Sequence, residues 1–171
     1  MIGVAELVPA VVERAPLAGS WHHGELHWQA VGHAGAELLP HVPGCDPEVL
    51  FLFALFHDAQ RENEHHDPGH GRRGSALARE LHGRAFDVGA ERLELLCQAC
   101  DGHTDVERSD DPTIGACWDA DRLNLWRVAI APVPRFLSTA AARNPELVSV
   151  AATWHGARYG WDALARRYGI G

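Results

Sequence analysis

Apolar and polar positions along this chain repeat with the period of a helix, while strict strand-like alternation is scarce throughout. Residues 4–15 form a short amphipathic helix pattern interrupted at Pro9. Ser20 is placed to cap a long helix over about 21–39, which "PHVPG" stops. Asp46 followed by Pro47 gives an N-cap and first-turn signal for "PEVLFLFALFHDA". A polar, breaker-rich loop follows ("QRENEHHDPGHG"), then a helix over about 72–81. Asp87 is expected to cap the next helix, running to about residue 101, and "GHTDVERSDDP" reads as a second loop. From Thr113 one helix is expected to carry "TIGACWDADRLNLWRVA" up to Pro132. Two glycine-closed helical stretches, "PELVSVAATWHGARYG" and "WDALARRYG", make the tail. The expected fold is all-α: a single compact helical bundle over 1–171, without repeats or linkers.

Within that pattern, "FLFALFHD" (residues 51–58) carries an apolar run directly into His57 and Asp58. Burying an imidazole beside a carboxylate is costly unless something compensates both. Composition sharpens the question, because the chain holds 12 histidines against one methionine and two tyrosines. The formal charge of −8 and the lack of a basic run argue against a nucleic-acid polymer as partner. A small anion stays open, since a bound metal supplies local positive charge. No apolar run is long enough for a membrane span and no signal-peptide pattern opens the chain, so a cytoplasmic protein is expected. The pattern sets no oligomeric state. Four cysteines include one CxxC pair, Cys97 and Cys100, inside a helical stretch with no second pair to complete a zinc site; they are read as structural thiols without disulfides.

The histidines and aspartates fall into an order. "HGELHWQAV" puts His23 and His27 four residues apart on one helical face. His57–Asp58 comes next, then His70 in "PGHGRRGSALA", His103 in "CQACDGHTD" and Asp121 in "ADRLNLWR". A second doublet, His66–Asp67, sits in the polar loop just before Pro68, where solvent exposure is expected. Trp21, Trp28, Trp118 and Trp126 lie at core-like spacing and read mostly as packing residues.

This H…HD…H…H…D series resembles the HD-domain superfamily of metal-dependent phosphohydrolases, over about residues 20–127. "HWQAV" is similar to that family's first-ligand helix, "FLFALFHDA" to its defining doublet, and "ADRLNLWR" to its last-ligand segment, notably that of ppGpp hydrolases. The resemblance implies an all-α HD-domain bundle in which His27, His57, Asp58 and Asp121 hold one metal. His70 and His103 match the added histidines of the dinuclear branch, where two ions bind and Asp58 bridges them. It further implies a phosphohydrolase acting through metal-activated hydroxide on a small phosphate monoester, nucleotide or phosphodiester, with catalytic roles for Asp58 and Arg61. Arg61 would meet the phosphate at the mouth of the site. Imidazoles with a few carboxylates suit Fe, Mn, Co, Ni or Zn, as one or two divalent ions. The same ligand set serves the superfamily's di-iron oxygenases, and a non-catalytic, metal-stabilised binding domain is the third alternative. His23 is a candidate for the pocket wall. Asp67, Arg72 and Arg73 belong to the loop expected to cover the site, and Arg122 is placed either beside the site or in an ion pair with a loop carboxylate.

Overall fold

The computed structural model describes residues 2–170 of the chain. Among them are eight α-helices and no strands beyond two isolated bridges at Phe86. The expected all-α architecture is therefore the observed one. At its centre stands α3 (Pro47–Phe56), in which every residue from Val49 to Phe56 is buried. A helix apolar on all sides has to be surrounded, and α2 (Glu25–Leu38), α5 (Ala90–Gly102) and α6 (Pro112–Arg122) pack around it. α4 (His70–Leu81) lies along α5, and α1 (Val4–Val12) leans on α3 and the tail. Full burial of each phenylalanine of α3 contributes roughly 1.5–3 kcal/mol.

Caps explain several of the boundaries. Asp46 accepts hydrogen bonds from the N–H groups of Glu48 and Val49, with Pro47 in the first turn, as the sequence indicates. Asp111 does the same for Thr113 and Ile114 ahead of Pro112. Elsewhere the expected limits move. α2 begins at Glu25 behind Gly24; Ser20 instead accepts from the N–H groups of His22 and His23, shaping a turn before the helix. α4 opens at His70, because Gly69 adopts the left-handed backbone (φ 82°) that lets the chain enter the helix there. α5 starts after Gly89, and Asp87 lies 3.2 Å from His82. α6 stops at Arg122, and a 3-10 turn over Leu125–Val128 replaces the expected continuation.

The tail belongs to the same core. α7 (Pro145–Ala151) and α8 (Trp161–Arg167) are shorter than their periodicity suggests. Trp161 and Tyr168 meet Phe51 edge-on at 5.9 and 5.6 Å, and the Tyr168 hydroxyl donates to the Gly32 carbonyl at 2.6 Å. His33, on the side of α2 away from the doublet, stacks on Tyr159 at 4.0 Å. Asp119 is fully buried and accepts the N–H groups of Ser138 and Thr139 at 2.6 and 2.7 Å, anchoring the chain after α6. The four cysteines are free. Trp28 and Trp118 are core residues, whereas Trp21 is 57 % exposed. No helix among the described residues is long and apolar enough to cross a membrane.

Candidate metal centre

The six residues of the H…HD…H…H…D series come together between α2, α3, α4, α5 and α6. Helix ends supply most of them. His57 is the C-cap of α3, His70 opens α4, His103 is the C-cap of α5 and Asp121 stands in the last turn of α6. His27, in the first turn of α2, completes the ring. The abrupt ending of "FLFALFHD" thus has a structural reason: the core helix stops where its polar partners from four other elements converge.

Two sets form. His27, His57 and Asp121 make one, and Asp58, His70 and His103 the other; within each, the ligand atoms lie within 4.8 Å of one another. In the first set the Nε2 atoms of His27 and His57 are 3.2 Å apart, and Asp121 Oδ1 is 3.2 Å from His27 Nε2. In the second, the Nε2 atoms of His70 and His103 are 2.9 Å apart. Asp58 reaches both. Its Oδ1 lies 3.1 Å from His70 Nε2 and 3.7 Å from His103 Nε2, while its Oδ2 lies 3.6 and 3.8 Å from the Nε2 atoms of His27 and His57.

The opposite ring edges are tied to backbone. His57 Nδ1 meets the carbonyls of Phe53 and Ala54, His70 Nδ1 that of Asp67 at 2.6 Å, and His103 Nδ1 that of Cys100 at 2.7 Å. Carbonyls only accept, so each Nδ1 carries a proton and each Nε2 is the nitrogen that faces the centre. That is the tautomer a metal ligand requires, with the orienting bond that usually accompanies it.

Electrostatics point the same way. Burial pulls His27 down to about 3, helped by the Arg127 guanidinium, and pulls His57 down to about 4. Both imidazoles are therefore neutral near neutral pH. Burial pushes Asp58 upward, but the surrounding imidazoles outweigh it and hold the carboxyl well below its usual range. Asp121 is likewise held low against its burial by His27, His57 and Arg127. For His103 burial acts downward, yet the hydrogen bond and charge of Asp58 prevail and raise it. Asp121 Oδ1 is buried, 3.2 Å from His27 Nε2 and without a geometrically formed hydrogen bond. Converging ring nitrogens, an orphaned carboxylate oxygen and the neutral imidazoles of His27 and His57 make two groups that could each hold a metal ion.

The rim is made of residues the sequence singles out less clearly. His23 precedes α2, yet its Nδ1 lies 3.1 Å from Asp58 Oδ2, and its Nε2 faces Glu64 at 3.9 Å. Arg61 donates from Nε to Asp58 Oδ1 at 3.1 Å and from Nη1 to the His65 carbonyl at 3.1 Å. The His66–Asp67 doublet departs from expectation in its second member only, since His66 is exposed. Asp67 is buried rather than exposed, grips Arg73 at 2.7 and 2.8 Å and accepts the Glu62 N–H, so the pair closes the 62–67 loop. Arg72 is exposed. Among the described residues Arg122 makes no ion pair with a loop carboxylate; it donates to the carbonyls of His103, Val106, Glu107 and Phe136. Sequence reasoning missed Arg127, whose nearly buried guanidinium lies 3.9 Å from Asp121 Oδ1 and donates to the carbonyls of His22 and Asn124. Its only signal was its place at the end of "ADRLNLWR".

Gly71 and Gly74 allow α4 to seat His70. A Cβ at Gly71 would stand 2.1 Å from the Cys100 carbonyl oxygen, and one at Gly74 would stand 2.3 Å from that of Phe56. An apolar hollow of about 320 Å³ lies next to the loop after His103, but its walls are residues such as Thr104, Val106, Ile130 and Phe136 rather than the six clustered side chains. No protein-family model, curated protein or solved structure matches the chain.

Proposed function

We propose that the protein is a metal-dependent phosphohydrolase of the HD type, acting on a small phosphate monoester, nucleotide or phosphodiester. The single observation that carries this reading is Asp58, whose two oxygens face two separate histidine pairs. One carboxylate serving two cation positions is what two-metal phosphoryl chemistry needs. Divalent transition-metal ions held by His27, His57, Asp58 and Asp121, and by Asp58, His70 and His103, would supply Lewis acidity and an activated water.

The chain's own groups do the remaining work. The Nδ1–H bonds to backbone carbonyls fix His57, His70 and His103 with Nε2 inward, so the site is organised before substrate arrives. The most exposed parts of the cluster are the Asp121 side chain at 16 % and, on the rim, Arg61 and His23 at 11 % and 10 %. A phosphate entering along that rim meets the Arg61 guanidinium, which exchanges its bond to Asp58 for phosphoryl oxygens and binds their developing charge. The Asp67–Arg73 pair holds the loop that screens the site from bulk water.

The test is a panel of phosphate esters, nucleotides and cyclic diesters offered to protein loaded anaerobically with Mn, Fe, Co or Ni. Hydrolysis is expected, abolished in Asp58→Ala and weakened mainly through KM in Arg61→Ala. Folded, metal-loaded protein that hydrolyses nothing would sink the proposal. Oxygen consumption by the iron form, absent with manganese, would move the same site to oxygenase chemistry.

A further inference from the structure

Besides Asp121 Oδ1, two buried polar atoms near the first histidine set have no protein partner: His27 Nδ1 and Asn124 Oδ1. Both residues are buried, at 2 % and 0 % exposure. Both line the same small cavity, with Leu26, Ala30 and Arg127 among its other walls. A buried polar atom left unpaired is costly, so two such atoms beside one cavity call for a common explanation.

The chemistry of the pair is complementary. The Asn124 amide nitrogen donates to the Ala120 carbonyl at 2.8 Å. That carbonyl can only accept, which fixes the amide orientation and leaves Oδ1 as the free acceptor. His27 turns Nε2 toward His57 and Asp121; as a metal ligand through that nitrogen it would carry its proton on Nδ1 and be a donor there. The cavity offers about 10 Å³ to the centre of a water-sized sphere, close to the space that one water needs. Arg127 cannot replace that water as an acceptor, since its guanidinium only donates and is directed to the carbonyls of His22 and Asn124.

We propose that Asn124 is the positioning residue of His27: one buried water accepts from His27 Nδ1–H and donates to Asn124 Oδ1, locking the tautomer that His57, His70 and His103 owe to backbone carbonyls. In its relevance to metal binding this inference rests on the metal-centre reading above. Its logic is local, because His27, near the start of α2, is the one clustered histidine whose Nδ1 finds no carbonyl among the described residues.

Proton–nitrogen correlation spectra of the full chain report each histidine tautomer with or without metal. Wild-type His27 is expected as Nδ1–H. Asn124→Leu, which keeps the volume but removes the oxygen, is expected to free the tautomer and to weaken Mn²⁺ binding about 10–100-fold. Asn124→Asp keeps an oxygen toward the cavity, at the cost of a second acceptor facing the Ala120 carbonyl and an added charge, so it is expected to hold the tautomer while lowering stability. Equal effects of both variants on His27, or none in either, would overturn the proposal, as would a wild-type His27 protonated at Nε2. Wild-type protein that binds no Mn²⁺ defeats the metal-centre reading, while the tautomer comparison still decides this one.

Discussion

The Nε2 atoms of His27 and His57 stand 3.2 Å apart in a core with almost no solvent contact. Two neutral imidazole nitrogens turned toward each other need a proton or a cation between them. His70 and His103 face each other likewise through Nε2 at 2.9 Å, and Asp58 connects the pairs. Two equivalents of transition metal are therefore expected in wild-type protein purified anaerobically and assayed by elemental analysis. His103→Ala is expected to retain one and Asp58→Ala neither. A single equivalent in wild type would leave His70 and His103 as a plain hydrogen-bonded pair.

Because the ligands come from five helices, metal should tie the bundle together. Ligand that binds only the folded state stabilises it by RT ln(1 + [L]/Kd), about 2.7 kcal/mol at a hundredfold excess over Kd. For a chain of this size that corresponds to a rise in Tm of roughly 5–11 °C. Calorimetry with and without Mn²⁺, followed by chelator, checks it; Asp58→Ala should show no shift. An unchanged wild-type Tm would mean that the histidine cluster does not take the ion.

Acid should weaken the metal-free protein. His27 and His57 titrate near 3 and 4 when folded but near 6.5 when unfolded, so between those values the unfolded chain binds more protons. Stability therefore falls as pH drops from about 6.5 to about 4. Asp58 and Asp121, both held low, add stability that is present above about 3.9 and lost below it. His103 runs the other way: its raised pKa gives stability that is full below about 6.5 and fades as pH climbs past the folded value. A metal must displace that His103 proton. Affinity at the Asp58–His70–His103 set is thus expected to rise as pH climbs above about 6.5, with proton release, while the His27–His57–Asp121 set barely changes there. Calorimetric titrations in buffers of different ionisation enthalpy separate the two. Equal proton release at both sets would contradict the assignment.

Much of this centre was legible in the sequence, for physical reasons. Helical periodicity located α3, and an apolar helix ending in His57–Asp58 can be tolerated only where partners converge. The ordered histidines then pointed to His27, His70, His103 and Asp121. Less legible was whatever depends on the path of the chain between helices. His23 precedes α2 and reaches Asp58 only because Ser20 and Gly24 shape the turn there. The burial of Asp67 follows from Arg73, six residues on, which no period relates to it. Arg127 lies beyond the end of α6, in a 3-10 turn that periodicity merged with the helix.

The close approach of α4 to α5 gives a prediction independent of metal. Gly71 is buried, and an added Cβ would stand 2.1 Å from a backbone oxygen and 3.1 Å from His103 Nδ1. Backbone cannot yield as a flexible side chain can, so Gly71→Ala should push α4 outward. A cost of about 1–3 kcal/mol is expected, together with loss of the metal at the His70–His103 set and retention at the other. Thermal melting and metal stoichiometry on the same sample test this. A variant that melts normally and holds two ions would show that the helices are looser than their packing implies.

Asp119, two residues before the histidine-facing Asp121, tests what holds the chain beyond α6. On a helix that spacing turns the two carboxylates to different faces: Asp121 toward the histidines, Asp119 toward the N–H groups of Ser138 and Thr139. Nothing in "WDADRL" alone says which aspartate does which. Asp119→Ala would strand two backbone donors and remove a charged acceptor, at a cost of about 3 kcal/mol, or roughly 6–12 °C in Tm. Metal stoichiometry should be unchanged in the folded variant, because Asp119 touches none of the histidines. Asp121→Ala should do the reverse, losing an ion from the His27–His57 set while keeping the 138–139 anchor. If instead Asp119→Ala emptied the centre and Asp121→Ala did not, the two carboxylates would have exchanged roles and the assignment of Asp121 would fall.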